Sequence, residues 1–277
     1  PEGWKEADWN IPGSGSYDVH GSHLIQFRNV YNCWAKNVHT FRPKENKQDI
    51  HTVSNCLRVS DSRFVTIEKC NLQKSQGEGG GGNGYMYTLE GNDCLITNCH
   101  AEHGRHNYDF KNMNANGNVI HNCYSKDSYL ATDFHMYLSM ANLIDCFQSD
   151  GDFIDAKFRP WGFANSRHMH STTQSVMWNT KGLKAHKSGM LIMSRQFGHG
   201  YVIGTSGVMS KVVTTPVSGV EREIEYNTEP VDWVEGEGKG EGLDPQSLYL
   251  DQFAKRQERI KKGDKWLRIN ELQVLFK

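Results

Sequence analysis

The sequence predicts an all-β fold, a right-handed parallel β-helix solenoid closed by a short C-terminal helical extension, and three observations predict it. First, a short apolar strand ended by a polar residue and a cysteine recurs: "RNVYNC" ending at Cys33, "VTIEKC" at Cys70, "CLITNC" at Cys99, "NVIHNC" at Cys123 and "NLIDC" at Cys146. Second, the steps between the last three cysteines are 24 and 23 residues, and Cys33 to Cys56 is also 23, a period that marks stacked repeats. Third, each repeat splits into runs of β-branched and aromatic residues separated by Gly, Asn, Asp or Ser, as in "CLRVSDSRFVTIEKC". The LxxLxLxxN frame of leucine-rich repeats is absent, so short strands paired with those of the next repeat are expected. Right-handedness follows from the usual chirality of parallel crossovers.

The elements follow in order. Residues 1–28, with Trp4, Trp9 and "PGSGSYD", read as a lead-in or a remnant of earlier coils that covers an open strand edge. Residues 29–216 form the solenoid. Within it "QGEGGGGNG" (Gln76 to Gly84) lengthens the Cys70–Cys99 step; it lacks the GK[ST] ending of a phosphate loop and reads as a flexible excursion beside a groove. Residues 217–277 are a linker and a helix packing on the solenoid: the repeat fades after Pro216, "VEGEGKGEG" is linker-like, and Asp244 with Pro245 opens the helical "DPQSLYLDQFAKRQERIKK". The closing "LQVLFK" reads equally as a last strand or a tag remnant.

Composition narrows the partners. The chain has 277 residues, a net charge of −1 and Pro1 at its start, with no recognisable signal peptide near it. Near-neutrality removes the electrostatic case for nucleic acid or an anionic membrane surface, and no run of 18 apolar residues is present. The seven cysteines are odd in number and contain no CxxC pair, so they are expected as buried apolar groups rather than a disulfide framework.

The cysteines also serve as a ruler. Cys99, Cys123 and Cys146 are expected to stack as one inward ladder, with Asn98 and Asn122 as neighbours at a turn. Asp109 and Asp133 each follow a cysteine by ten residues, and Asp155 follows Cys146 by nine, in the matching contexts "YDFKNM", "TDFHMY" and "IDAKFR". Period-2 alternation sends Phe110, Phe134 and Ala156 inward. It places the three aspartates on an outer wall about 4.8 Å apart, beside Lys111, His135 and Lys157. A second column, His103, Asp127 and Asp150, follows each cysteine by four residues. Arg105, His106, Arg159, Arg167, His168 and His170 add bases, and Tyr108, Tyr137 and Trp161 are expected as exposed aromatics. The competing structural reading is a set of polar ladders whose ion pairs are worth little each.

The strands "LITNC", "VIHNC" and "NLIDC", with "MLIMSRQFGHGYVIG", "RHNYDF" and "DPQSLYLDQFAKR", resemble the right-handed β-helix proteins of the pectate-lyase-like superfamily, of the type associated with bacterial polysaccharide breakdown. The resemblance spans roughly residues 29–260 and is specific for architecture. That superfamily contains lyases, hydrolases, epimerases and non-catalytic adhesin or tailspike domains, and its lyases neutralise the sugar carboxylate with basic side chains or with calcium.

The first expectation is therefore a lyase acting by β-elimination on a uronic-acid polysaccharide, an anionic polymer suited to a groove of Lys, His and Arg. Elimination needs a base for the C5 proton, an acid for the leaving oxygen and a group that neutralises the carboxylate. Lys111, His135 or Lys157 is the expected base, Arg105, Arg159 or Arg167 grips the carboxylate, and Tyr108 is a further catalytic candidate. His103, His106, His168, His170, Tyr137 and Trp161 line the substrate, and Asp109, Asp133 and Asp155 are candidate calcium ligands. The alternatives are a glycoside hydrolase using Asp133 with Asp155 or Asp150 with Asp152, and a carbohydrate-binding module without turnover. Zinc is disfavoured, because no cysteine accompanies the histidine pairs at ligand spacing. A polysaccharide target favours export or the cell surface.

Overall fold

The computed structural model describes residues 22–42, 44, 48–77, 82–159, 168–215 and 229–264. Within them the chain is all-β, with strands in parallel sheets and a short C-terminal α-helix, Leu248–Lys261. Among the described residues no helix is long and apolar enough to cross a membrane.

One parallel sheet carries, in spatial and chain order, His23–Arg28, Asn55–Arg63, Tyr85–Asn92, His106–Phe110, Thr132–Phe134, Ile154–Ala156, Ile192–Ser194 and Val212–Val213. Between its members the chain crosses a second sheet. There Trp34–Lys36, Thr66–Glu68, Leu95–Thr97, Val119–His121 and Leu143–Asp145 form one row, and Asn71–Gln73, His100–Glu102, Tyr124–Lys126 and Gln148–Asp150 another. The long strand Val176–Lys184 pairs with both rows and joins them.

Register follows the 23–24-residue period. Ile96 pairs with Ile120 and Ile120 with Ile144, all three buried against one another in the core. Phe110 stacks on Phe134 with ring centroids 4.6 Å apart, and Tyr87 stacks on Tyr108 at 4.9 Å. Each fully buried side chain of this kind contributes about 1.5–3 kcal/mol relative to exposure. Asn98 and Asn122 adopt φ of 54° and 49° at a turn, a conformation asparagine tolerates, and Asn122 Nδ2 donates to Asn98 Oδ1 at 2.6 Å.

The cysteine ladder differs from expectation at both ends. Cys70, Cys99 and Cys123 follow paired strands by the same interval and are buried, but Phe147, not Cys146, holds the next inward place. Cys146 occupies the left-handed turn position at φ 53°, and its thiol faces the Gln246 carbonyl at 3.2 Å. "NLIDC" carries its cysteine one residue earlier than its neighbours, so the side chain lands on the turn. Cys33 precedes Trp34–Lys36 as Val65 precedes Thr66–Glu68, and so belongs to a different column. All seven thiols are free.

At the C-terminal side, Trp233–Glu235 pairs with Tyr201–Gly207, so part of the linker-like run is strand. The helix is N-capped by Ser247, whose hydroxyl accepts from Leu250 N at 3.1 Å. Its first turn sits on Asp145, which accepts from Leu248 N at 3.3 Å, from Tyr249 N at 3.1 Å and from the Ser247 hydroxyl.

Candidate active site

On the long sheet Asp109, Asp133 and Asp155 are direct partners in neighbouring strands, as the ruler implies. They are not an open row of carboxylates. Their relative exposures are 1%, 1% and 4%, because the bases flanking them fold over the outer wall. Lys111 Nζ lies 3.6 Å from Asp109, Lys157 Nζ lies 3.5 Å from Asp155, and His135 Nδ1 lies 3.0 Å from Asp133.

The centre of this cover is Tyr85, which the sequence reading passed over. Its ring stacks on His106 with centroids 4.9 Å apart and meets His135 edge-on at 5.7 Å. The Tyr85 hydroxyl accepts from Arg105 Nη1 at 2.9 Å and lies 3.3 Å from His135 Nε2. Lys111 Nζ sits 3.8 Å from the centre of the Tyr85 ring, a cation–π contact. His168 continues the column, its ring centroid 4.5 Å from that of His135. Arg105, Lys111, Lys157 and His168 are half-buried at the rim, whereas Tyr85, His106, Asp109, Asp133 and His135 form a buried floor.

Burial sets the charge states of the floor. It raises the Tyr85 phenol, with Asp109 reinforcing and Lys111 opposing. It holds the Asp109 carboxyl well above its ordinary range; the Lys111 ammonium counters this and the Asp133 carboxylate adds to it. Neither Asp109 oxygen makes a hydrogen bond. Burial also lowers His106 to about 4, so its imidazole is neutral at neutral pH. His106 Nδ1 lies 2.6 Å from the Ala131 carbonyl oxygen and 3.3 Å from Asp133 Oδ1.

Neither a protein-family model, nor a curated protein, nor a solved structure matches this chain. The site is therefore judged on its own geometry.

The other expected site residues divide. Tyr108 is not at the surface: it is fully buried, and its hydroxyl donates to the Cys99 and Tyr124 carbonyls at 2.9 and 3.1 Å. Alternation itself turns Tyr108 inward with Phe110 and opposite to Asp109, and it stacks on Tyr87, so it is a core residue rather than a catalytic one. His103 lines a separate cavity with Asp127, Tyr129, Lys184 and Lys187, which Tyr85 does not line. The column partner of His103 and Asp127 is Gly151 rather than Asp150, the same one-residue offset that moved Cys146. His170 pairs with Phe158 and packs against Phe197, with centroids 4.7 Å apart. Tyr137 is exposed, and no contact brings it to Tyr85. Arg159 is placed only as the strand partner of Met169. Trp161 and Arg167 lie outside the described residues.

The hydrolase pairs fare differently from the rim bases. Asp152 is buried and accepts from the Ser125 hydroxyl, from Thr132 Oγ1 at 2.7 Å and from Phe153 N at 2.7 Å, while Asp150 accepts from the Tyr124 hydroxyl. Those two carboxylates are held as structural acceptors. One ligand atom each from His106, Asp133 and His135 lies within 4.8 Å of the other two, a grouping that includes Asp133 but neither Asp109 nor Asp155.

Proposed function

We propose that this chain is a right-handed parallel β-helix of pectate-lyase-like type. We propose that it cleaves a uronic-acid polysaccharide by β-elimination on the outer wall of its long sheet, outside the cell or at its surface. The observation that carries the reading is the chain Arg105–Tyr85–His135–Asp133, with Lys111 over the Tyr85 ring. It gathers the three functions elimination needs at one point of an extended strand array.

In this reading Arg105 and Lys111 neutralise the sugar carboxylate and so acidify the C5 proton. His135, oriented by Asp133, takes that proton at Nε2. The electron pair forms the C4–C5 double bond, the C4–O bond breaks, and the leaving oxygen takes the Tyr85 phenolic proton. The contact between His135 Nε2 and the Tyr85 hydroxyl then returns the proton from imidazolium to phenolate, restoring both groups. Hydrolysis draws less support, because Asp133 and Asp155 are taken up by His135 and Lys157 and Asp150 and Asp152 are engaged structurally.

The test is turnover on a panel of uronate polysaccharides, followed by the ultraviolet absorbance of a 4,5-unsaturated product. Absorbance that vanishes in Tyr85→Phe and His135→Gln supports the reading. New reducing ends without absorbance assign a hydrolase, and binding without cleavage assigns a carbohydrate-binding module.

A further inference from the structure

The turns that carry the chain from the second sheet to the long sheet differ in length. They follow His100–Glu102, Tyr124–Lys126, Gln148–Asp150 and Val176–Lys184, and run over residues 103–105, 127–131, 151–153 and 185–191. Pairing of those strands stacks the short turn 151–153 between two longer ones. The longer turns stand out on either side and leave a notch, a cavity of about 310 Å³ lined by His103, Lys184 and residues of the three later turns. That volume is at the small end of small-molecule sites. Gly151 permits the closure: its φ is 78°, and a Cβ there would meet Asp127 Oδ1 at 2.5 Å and Lys184 Cδ at 3.5 Å. Lys184 Nζ and Asp127 Oδ1 pair at 2.6 Å beside it.

The acids around the notch are already engaged. Asp127 holds Lys184, and Glu102 lies 3.6 Å from His103 Nε2, 3.6 Å from His100 Nε2 and 3.5 Å from Lys126 Nζ. Lys187 is the cation left over. No ion pair among the described residues engages it, and its Nζ lies 5.2 Å from the centre of the exposed Tyr129 ring. His186 stacks on Phe153 with centroids 4.8 Å apart and accepts from Ser188 N through Nδ1 at 3.0 Å. Burial lowers this imidazole, so at neutral pH the ring is neutral and carries its proton on Nε2, as a donor. The notch therefore presents an uncompensated ammonium, an imidazole N–H and the Tyr129 hydroxyl.

We propose that this notch binds one acidic sugar unit, a hexuronate, with its carboxylate on Lys187 and His186 and its hydroxyls beside Tyr129. An ammonium and a neutral N–H together suit a carboxylate, which accepts at both oxygens. The notch borders the site around Tyr85 without sharing its residues. His103 is two residues from Arg105, and Tyr129 is two residues from Ala131, whose carbonyl holds His106. Two residues of chain span at most about 7 Å, so a unit bound here flanks the strand-start edge of that site. The choice of a sugar acid rests on the lyase reading, whereas the binding of a carboxylate does not.

The experiment is a nuclear magnetic resonance titration of the full chain with galacturonate, glucuronate, glucose and inorganic phosphate, each alone, following assigned backbone amides. The expected result is saturable shifts at Tyr129, Gly151 and Lys187 with a uronate and none with glucose. Lys187→Gln, a change to an exposed side chain, is expected to weaken uronate binding about tenfold or more. Lys255→Gln, on the C-terminal helix, is expected to leave it unchanged and so to exclude a general charge effect. Shifts confined to the neighbourhood of Tyr85, equal binding of glucose, or affinity unaltered in Lys187→Gln overturns the site. Phosphate that binds the same amides more tightly than either uronate overturns the sugar assignment. Uronate shifts in the notch without any unsaturated product from the polymers would remove the lyase reading and leave the site standing, which separates the two failures.

Discussion

Two histidine–aspartate clusters lie on different walls of this molecule, and they are finished to different degrees. At Asp145 the carboxylate receives two backbone N–H groups and a hydroxyl from the start of the C-terminal helix, with Tyr249 tilted against His121 at 5.1 Å. At Asp109 and Asp133 the carboxylates face one another across adjacent strands, Asp109 makes no hydrogen bond, and His106 keeps an open nitrogen. The composition is nearly the same; the satisfaction of lone pairs is not. A cluster whose acceptors are closed by backbone donors is architecture, because any ligand would first have to break those bonds. A cluster held together by packing, with cations at its rim, keeps its chemistry available.

The largest expected effect tests the second cluster. His135→Gln or Tyr85→Phe lowers turnover on a uronate polymer by about 10²–10⁴-fold, measured by product absorbance, with an unchanged thermal midpoint separating catalysis from folding. Next is the first cluster: Asp145→Ala strips the helix start of its acceptor and costs roughly 3 kcal/mol. Denaturant unfolding reads the loss, and faster amide exchange over Leu248–Lys261 locates it. An unaltered exchange pattern there would remove the contrast between the clusters.

Smaller effects sharpen it through pH. His106 is lowered to about 4 in the fold, so on acidification the unfolded chain takes up this proton first. Its contribution to stability is full above about 6.5, the ordinary histidine value, and falls away as pH drops toward 4. His106→Gln is expected to flatten the thermal-midpoint curve across that window. Asp109 has the opposite sign: its raised carboxyl favours the fold at acid pH, and that stability is lost progressively as pH rises from the ordinary carboxylate range up through the raised value. Asp109→Asn is therefore expected to leave stability at neutral pH equal or higher by about 1 kcal/mol. A clear destabilisation would mean that the charge is satisfied in the native protein.

Much of the long-sheet register was legible. Asp109, Asp133 and Asp155 were placed on one wall because the repeat carries matching segments at nearly constant offset, and pairing of successive repeats preserves offset. Cys146 and Asp150 were misplaced by one residue because Phe147 replaces the expected cysteine, and a ruler tied to one residue type cannot see a substitution. Tyr85 escaped for a related reason. Its strand follows the glycine-rich excursion, so Thr88, the partner of Asp109, lies eighteen residues beyond Cys70 rather than ten. Counting backward from "HNYDF" to "YMYTL" by pattern instead of by cysteine would have found it.

Local chemistry written in the chain was enough to determine parallel strands, the 23–24-residue step, burial of five of the seven thiols and the asparagine turns, since each depends on side-chain periodicity or on a backbone preference of one residue type. Which titratable groups meet, and whether water reaches them, was decided only in three dimensions. Burial of the aspartates depends on Tyr85 from one strand and on Lys111 and His135 from just past the ends of two others. Closure of Asp145 depends on a helix more than a hundred residues further along. Desolvation and hydrogen bonding are properties of the assembled surroundings, so no single stretch of residues could have carried them.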